Sequence, residues 1–283
     1  MAGAGTVDLE ARGADGTILR GRLWTPNEKP RRVLVAVHGL KDHGGRYEGL
    51  AVALGQRGIA TAAFDLRGHG RSEGERAFVR RFAEYGSDLD NEWQTVAARF
   101  PGTPISLFGH SLGGAVAARF ALDHPDLPSS LVLCAPAIRV PPTTSRAAVA
   151  GVRFFSAIAP HAHVFKPEIA GFSRDSAVLA AMAADPLIDQ RPIPVRTAAE
   201  LIRAMGTIHA HASRWTSPLL ILHGTADRVT DPRGSAEFLA EVRSTSRRLI
   251  PVPGAFHDLF HEPEAVELRA ATADFLAAPS GGA

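Results

Sequence analysis

Short apolar runs recur along the chain, bounded by Gly or Pro. They are VLVAVHG (33–39), IATAAFDLRGHG (59–70), PISLFGHS (104–111), SLVLCAP (130–136), PLLILHGTAD (218–227) and the weaker RRLIPVPGAFH (247–257). Runs this short, apolar on both faces, predict the covered strands of a parallel sheet. Helical periods fill the intervals. RYEGLAVALGQRG places Tyr47, Leu50, Ala51 and Leu54 on one face and stops at Gly58. RFAEYGSDLDNEWQTVAARFP aligns Phe82, Tyr85, Leu89, Trp93 and Val96 and stops before Pro101. LGGAVAARFALDHP is helical up to Pro125, DPRGSAEFLAEV opens with Asp231 as N-cap and Pro232 in the first turn, and PEAVELRAATADFLAA closes the pattern. Alternating strands and helices predict an α/β fold, a mostly parallel sheet with helices on both faces. Two earlier stretches, Val7–Glu10 and Ile18–Trp24, predict an antiparallel hairpin at one edge.

The alternation stops at Ala137 and resumes at Pro218. The intervening 137–217 stretch carries no strong strand signal and is predicted to be a helical cap inserted over the C-terminal edge of the sheet. The core is then 1–136 and 218–278, with a disordered tail at 279–283. Within the insertion, TAAELIRAM reads as a capping box, Thr197 with Glu200, and Met205 and Ile208 read as core. AAVAGVRFFSAIAP (147–160) is apolar nearly all round. It fits a tunnel lining or lipid contact, or equally a helix packed on the core.

Composition narrows the classes. The chain has 283 residues, 45% of them hydrophobic, enough for one large core. The net charge is +2 and the basic residues are dispersed, so no nucleic-acid footprint is expected. A lone cysteine, Cys134, rules out an internal disulfide and reads as a buried thiol. No signal-peptide pattern and no run of 18 apolar residues appear, so a cytoplasmic location is expected. The HAH pairs, His161/His163 and His209/His211, lack companion ligands, and neither metal nor cofactor is expected.

The candidate chemistry centres on GHSLG, residues 109–113, between an apolar strand and a periodic helix. That context makes it a nucleophile elbow: a sharp turn with Ser111 at its tip and small residues flanking it. A serine hydroxyl needs a base, and the base needs an orienter, in the chain order Ser, acid, His. Asp227 follows the strand after the insertion, with Asp231 as the alternative. His257 follows the last strand, with His261 as the alternative. Asp258 reads as an exposed or capping carboxylate. The oxyanion hole is expected from the backbone amides of Leu112 and Leu40, each donor contributing about 3–4 kcal/mol. His43, Arg67 and His69 read as loop-fixing residues, and His110 as packing under the elbow.

These blocks together resemble the monoacylglycerol lipase and lysophospholipase branch of the α/β-hydrolase superfamily. HGLKDHGGRY (38–47), DLRGHGRSEG (65–74), GHSLGG (109–114), APAI (135–138), LHGTADRVTDPRGS (222–235) and GAFHDLFHEPE (254–264) occur in the family's order and spacing, over residues 15 to 278. The cap stretch RDSAVLAAMAADPLI (174–188) is also similar to the family's. Leu40, Lys41 and Asp42 depart from the small residue and glutamate common there, altering the pocket beside the oxyanion hole. The resemblance implies Ser111, Asp227 and His257 as triad, the Leu40 and Leu112 amides as oxyanion hole, and a lipid-facing cap over an acyl tunnel. It implies an esterase of single-chain lipid esters such as monoacylglycerols, needing no cofactor and touching lipid surfaces transiently. Short-chain, aromatic or diester carboxylesterase, thioesterase, lactonase and lysophospholipase activities fit the same triad, and a non-catalytic binding protein is the remote alternative. Serine at 111 argues against dehalogenase or epoxide hydrolase chemistry, which would place Asp there.

Overall fold

The computed structural model describes residues 5–165 and 168–278, so the expected tail at 279–283 lies outside the described residues. In chain order the elements are β1 (Gly5–Arg12), β2 (Ile18–Thr25), β3 (Arg32–Val37), α1 (Glu48–Gly55), β4 (Ile59–Phe64), α2 (Ala83–Arg99), β5 (Ile105–His110), α3 (Leu112–Asp123) and β6 (Leu131–Cys134). There follow α4 (Arg146–Ile158), β7 (His163–Phe165), α5 (Ser176–Ala184), β8 (Ile193–Pro194) and α6 (Val195–His211). The chain then completes β9 (Leu219–Gly224), α7 (Pro232–Glu241), β10 (Arg247–Val252) and α8 (Ala265–Ala277). An eight-stranded sheet has the order β1-β2-β4-β3-β5-β6-β9-β10. The first two strands are the expected antiparallel hairpin, joined antiparallel to β4. The others run parallel.

Each central strand feeds two cores by simple alternation. Val33, Val35 and Val37 of β3 join Leu107, Leu131, Leu133 and Ile221 on the face covered by α2, α3 and α7. Leu34 and Ala36 join Phe108, Val132, Leu220 and Leu222 under α1 and α8. Covering on both sides is why these strands read as continuous apolar runs. Each fully buried Leu or Phe contributes about 1.5–3 kcal/mol, and Leu34→Ala would cost about 2–5 kcal/mol. At the edge, β10 leaves Arg247 and Arg248 exposed and carries Pro251, which accounts for its weak sequence signal. Gly58 ends the α1 turn at φ +69°, a conformation open to glycine.

Between β6 and β9 the chain leaves the sheet. Its elements there are mostly helical, but β7 and β8 pair as a short antiparallel ladder that the sequence did not signal. The expected capping box is not formed. The helix starts at Val195 after Pro194, and Thr197 and Glu200 lie inside it. Thr197 Oγ1 donates to the Ala77 carbonyl and accepts from Val79 N, while Glu200 accepts from Phe82 N. The i, i+3 spacing puts both side chains on one helix face, and the backbone groups of the 77–82 loop take them instead. Met205 and Ile208 are buried, as expected. Helix α4 packs against α6, yet Phe154 and Phe155 remain 62% and 54% exposed. Among the described residues no helix is long and apolar enough to cross a membrane.

Candidate active site

Ser111 stands between β5 and α3 at φ 54°, ψ −120°, outside the regions non-glycine residues favour. The surrounding backbone over-determines this conformation. Ser111 N donates to the Cys134 carbonyl, and the Ser111 carbonyl accepts from Ala115 N and Ala137 N. The flanking glycines are required by close approach. A Cβ on Gly109 would lie 2.2 Å from the Gly113 carbonyl oxygen, and one on Gly113 would lie 2.2 Å from that of Val37. The helix therefore begins hard against the ends of β3 and β5, its free N–H groups and positive dipole end directed at Ser111.

Asp227 follows β9 and His257 follows β10, so neighbouring strands deliver both. His257 Nδ1 lies 2.8 Å from Asp227 Oδ2, and both side chains are fully buried. Asp227 Oδ1 accepts from Val229 N and Thr230 N. Thr230 Oγ1 lies 2.8 Å from Oδ2, and His223 Nε2 lies 3.2 Å from it. Burial pushes the Asp227 carboxyl up, but the two imidazoles and their hydrogen bonds outweigh it and hold the group well below the usual carboxylate range. The carboxylate thus stays ionised and fixes a proton on His257 Nδ1. His257 Nε2 is buried without a hydrogen-bond partner, so no bond joins it to Ser111 in this structure. The two neighbourhoods nevertheless meet: the His110 and His257 rings are 4.8 Å apart, and Phe172 of the segment between β6 and β9 packs edge-on against His257.

The loop after β3 flanks the serine. A Cβ on Gly39 would approach both Ser111 Cβ and His110 Nδ1 to 3.3 Å. Leu40 and Leu112 follow Gly39 and Ser111 directly, and neither amide is used in a backbone bond among the described residues. Lys41 adopts φ 68°, turning the loop back. His38 is buried behind it. Its Nε2 accepts from Leu66 N, so its Nδ1 donates to the Gly39 carbonyl and fixes that turn.

The alternative residues take other roles. Asp231 is the N-cap of α7, accepting from Arg233 N, and also pairs with Arg139. His261 bonds Asp258 and the Arg46 carbonyl. Asp258 is a correction to the sequence reading: it is 4% exposed and pairs with Arg46, which also holds Asp42. Burial opposes its charge, but Arg46 and His261 hold its carboxyl well below the ordinary range. The Arg46 guanidinium, four residues into the loop from Asp42, supplies the partner that let this carboxylate go inside. Arg67 grips Asp88, Asp15 and Glu84, and His69 Nδ1 donates to the Arg67 carbonyl, the loop-fixing roles expected. His43 caps the next turn and reaches across to Asp185. Sequence reasoning missed His223, Thr230 and Phe172. The first two sit at fixed offsets of four and three residues from Asp227, a signal that could have found them.

Three of the four HAH histidines have other partners: His161 bonds Glu75, His209 bonds Glu241, and His211 bonds the Thr207 carbonyl. Among the described residues no cluster of three or more His, Cys, Asp or Glu could hold a metal ion. A hollow of about 360 Å³ lies between α2, α3 and α6, and one of about 210 Å³ lies beside Lys41, His69 and Asp189. Neither is lined by Ser111 or His257, so neither is the expected acyl tunnel.

Comparison with known proteins shows the family and the fold. The family described as Serine aminopeptidase, S33 matches residues 28–264. A monoacylglycerol lipase of Mycolicibacterium smegmatis is 34% identical over 252 residues, covering 89% of this chain and 90% of that protein. A mouse monoglyceride lipase is 31% identical, covering 88% of this chain and 82% of that protein. The crystal structure of a Paleococcus ferrophilus monoacylglycerol lipase superposes with a TM-score of 0.82 at 29% identity, over 96% and 98% of the two chains.

Proposed function

The chain belongs to the serine aminopeptidase S33 family and has the α/β-hydrolase fold, and from that premise we propose that it hydrolyses monoacylglycerols or similar single-chain lipid esters through an acyl-enzyme on Ser111. It is a carboxylic ester hydrolase. The observation that carries the mechanism is the strained Ser111 turn beside the buried Asp227–His257 pair. Ser111 Oγ attacks the ester carbonyl as His257 Nε2 takes its proton. Asp227 holds the Nδ1 proton and offsets the imidazolium charge. The Leu40 and Leu112 amides bind the tetrahedral oxyanion. His257 returns the proton to the leaving alcohol, and water, activated by the same imidazole, frees the acid. In an unliganded site the serine–base bond is often long and tightens with substrate, consistent with the unpartnered His257 Nε2.

We read residues 137–217 as a cap on this site. Its backbone and side chains reach the loops after β3, β4 and β10 through Asp185, Thr197 and Phe172. The exposed Phe154, Phe155 and Ile158 on α4 supply an apolar face for transient contact with a lipid surface.

The deciding experiment is initial rates on 1-monoacylglycerols from C4 to C18, beside a triacylglycerol and p-nitrophenyl acetate, with Ser111→Ala as blank. The expected result is a preference for medium or long monoacylglycerols, abolished in the variant. Activity confined to the acetate or to bulky aromatic esters would keep the triad and overturn the substrate class. Full activity in Ser111→Ala would overturn the mechanism.

A further inference from the structure

Asp227 faces two imidazoles. His257 approaches Oδ2 from the loop after β10, and His223, on β9 itself, approaches the same oxygen at 3.2 Å. His223 is 2% exposed, and its other nitrogen, Nδ1, lies 2.7 Å from Ser235 Oγ on α7. Proton counting fixes the direction of these bonds. Thr230 has one hydroxyl proton, and its shortest acceptor is the ionised Asp227 Oδ2 at 2.8 Å. The Thr230 proton is then unavailable to His223 Nε2, 3.2 Å away. A neutral His223 with a bare Nε2 would aim a lone pair at a carboxylate. The stable arrangement protonates Nε2, which donates to Asp227, and leaves Nδ1 to accept from the Ser235 hydroxyl. Ser235 thus selects the tautomer of His223, as Asp227 selects that of His257.

We propose that His223, its tautomer fixed by Ser235, is a positioning residue that holds the triad carboxylate through a donated Nε2–H bond. The proposal rests on Asp227 being the triad acid. Two backbone amides fix Oδ1, and Thr230 and His223 join His257 on Oδ2. The carboxylate plane therefore cannot turn away from His257. The donated bonds also share out the negative charge of Oδ2, so His257 feels a weaker acceptor than a lone carboxylate. Removing the His223 donor frees the plane, which lowers kcat, and concentrates charge on the bond to His257, which favours the imidazolium. The acidic limb of the rate profile then moves to higher pH. The titratable groups around this cluster are His223, His257, Asp227, His110, Asp258 and Cys134, and the His223 variants change the first alone.

Two variants separate the hydrogen bond from simple packing. Gln places an amide NH₂ where the imidazole Nε2 stands, whereas Leu fills the space without a donor. The measurements are kcat, KM and the pH profile of kcat/KM on p-nitrophenyl butyrate, with thermal melts as a folding check. His223→Leu is expected to lose about tenfold in kcat, the cost of one hydrogen bond to a charged group, with KM nearly unchanged. Its acidic limb should rise by about half a pH unit. His223→Gln should recover most of both. Equal losses in Leu and Gln, or a wild-type profile in Leu, overturn the proposal. If His223→Leu fails to fold, Ser235→Ala carries the test: the same upward limb shift at smaller size supports it, and an unmoved limb overturns it. Asp227→Asn, run alongside, distinguishes the levels. A nearly inactive Asp227→Asn with a wild-type His223→Leu defeats this inference alone, while an active Asp227→Asn defeats the triad assignment beneath it.

Discussion

The sheet edge that carries Ser111 and the segment between β6 and β9 solve opposite problems. Around Asp227 each carboxylate oxygen is met by donors from β9 or the loops that follow β9 and β10, and His257 is 0% exposed. The segment from α4 to α6 is fastened by scattered contacts to several loops, among them Thr197 and Glu200 to the 77–82 loop, Asp185 to His43, Arg174 to Glu262, and the Phe172 carbonyl to Asp258 N. Its outer helix leaves Phe154 at 62% exposure. A reacting centre needs donors fixed before the substrate arrives, whereas a surface that admits a flexible acyl chain needs apolar area and few constraints. The two regions place rigidity and adaptability in separate parts of one chain.

The sharpest break of that contrast is at the acid. Asp227→Asn should lower kcat about 10⁴-fold by letting His257 adopt the wrong tautomer, measured on a soluble ester at a temperature where the variant remains folded. Next is the elbow. Gly113→Ala gains about 1 kcal/mol of helix propensity but drives a Cβ to 2.2 Å from the Val37 carbonyl. The clash should win, lowering stability by about 1–3 kcal/mol in urea unfolding, and a more stable variant would refute the packing account. Acid should act on the same region. Burial, with His257 alongside, pushes His110 down to about 4, and burial, with His38 alongside, pushes His69 down to about 3. Both are held neutral in the folded state and protonate near their ordinary value of about 6.5 when unfolded. Their contribution is present above about pH 6.5 and is lost as pH falls towards their folded values. The urea midpoint should drop between pH 7 and pH 5, and a flat midpoint contradicts this.

The segment between β6 and β9 should respond differently. Replacing Phe154 and Phe155 with Ser is expected to weaken binding to phosphatidylcholine vesicles about tenfold, with hydrolysis of a soluble ester unchanged. A fall in both activities would erase the separation. The smallest effect belongs to Thr197→Val, which removes the clasp to Ala77 and Val79 without changing side-chain volume. It should cost about 1–2 kcal/mol and speed proteolysis within 140–216, read by limited trypsin digestion.

Legibility from sequence followed the same division. The strands β3 to β6 and β9 were readable because burial on both faces makes them uniformly apolar, and Ser111 because Gly109 and Gly113 mark a turn that admits no side chain. Asp227 and His257 were readable from their positions after strands. Thr197 and Glu200 were misread because a capping box and a clasp to a distant loop use the same spacing, and only the fold brings Ala77 near. Asp258 was misplaced for a similar reason: its partner Arg46 lies 212 residues away. In α2 the apolar stripe was clear, but Asp88 and Glu92 are buried too, Asp88 answered by Arg67 and Glu92 with its carboxyl driven well up by burial. Pattern alone assigns such acids to solvent.

β6 and β9 are direct neighbours in the sheet, with Leu131 opposite Leu219 and Cys134 opposite Leu222. Everything between them leaves from and returns to one ladder. Its ends, Cys134 and Leu219, lie at opposite ends of that ladder and are fixed there by strand pairing, whatever its length. Closing a longer loop costs only about 0.6 kcal/mol per doubling. Residues can therefore be added or removed between Cys134 and α6, whose Ala204 and Ile208 belong to the core, at little expense to the sheet, so that stretch can be rebuilt over evolutionary time while the ladder keeps its register.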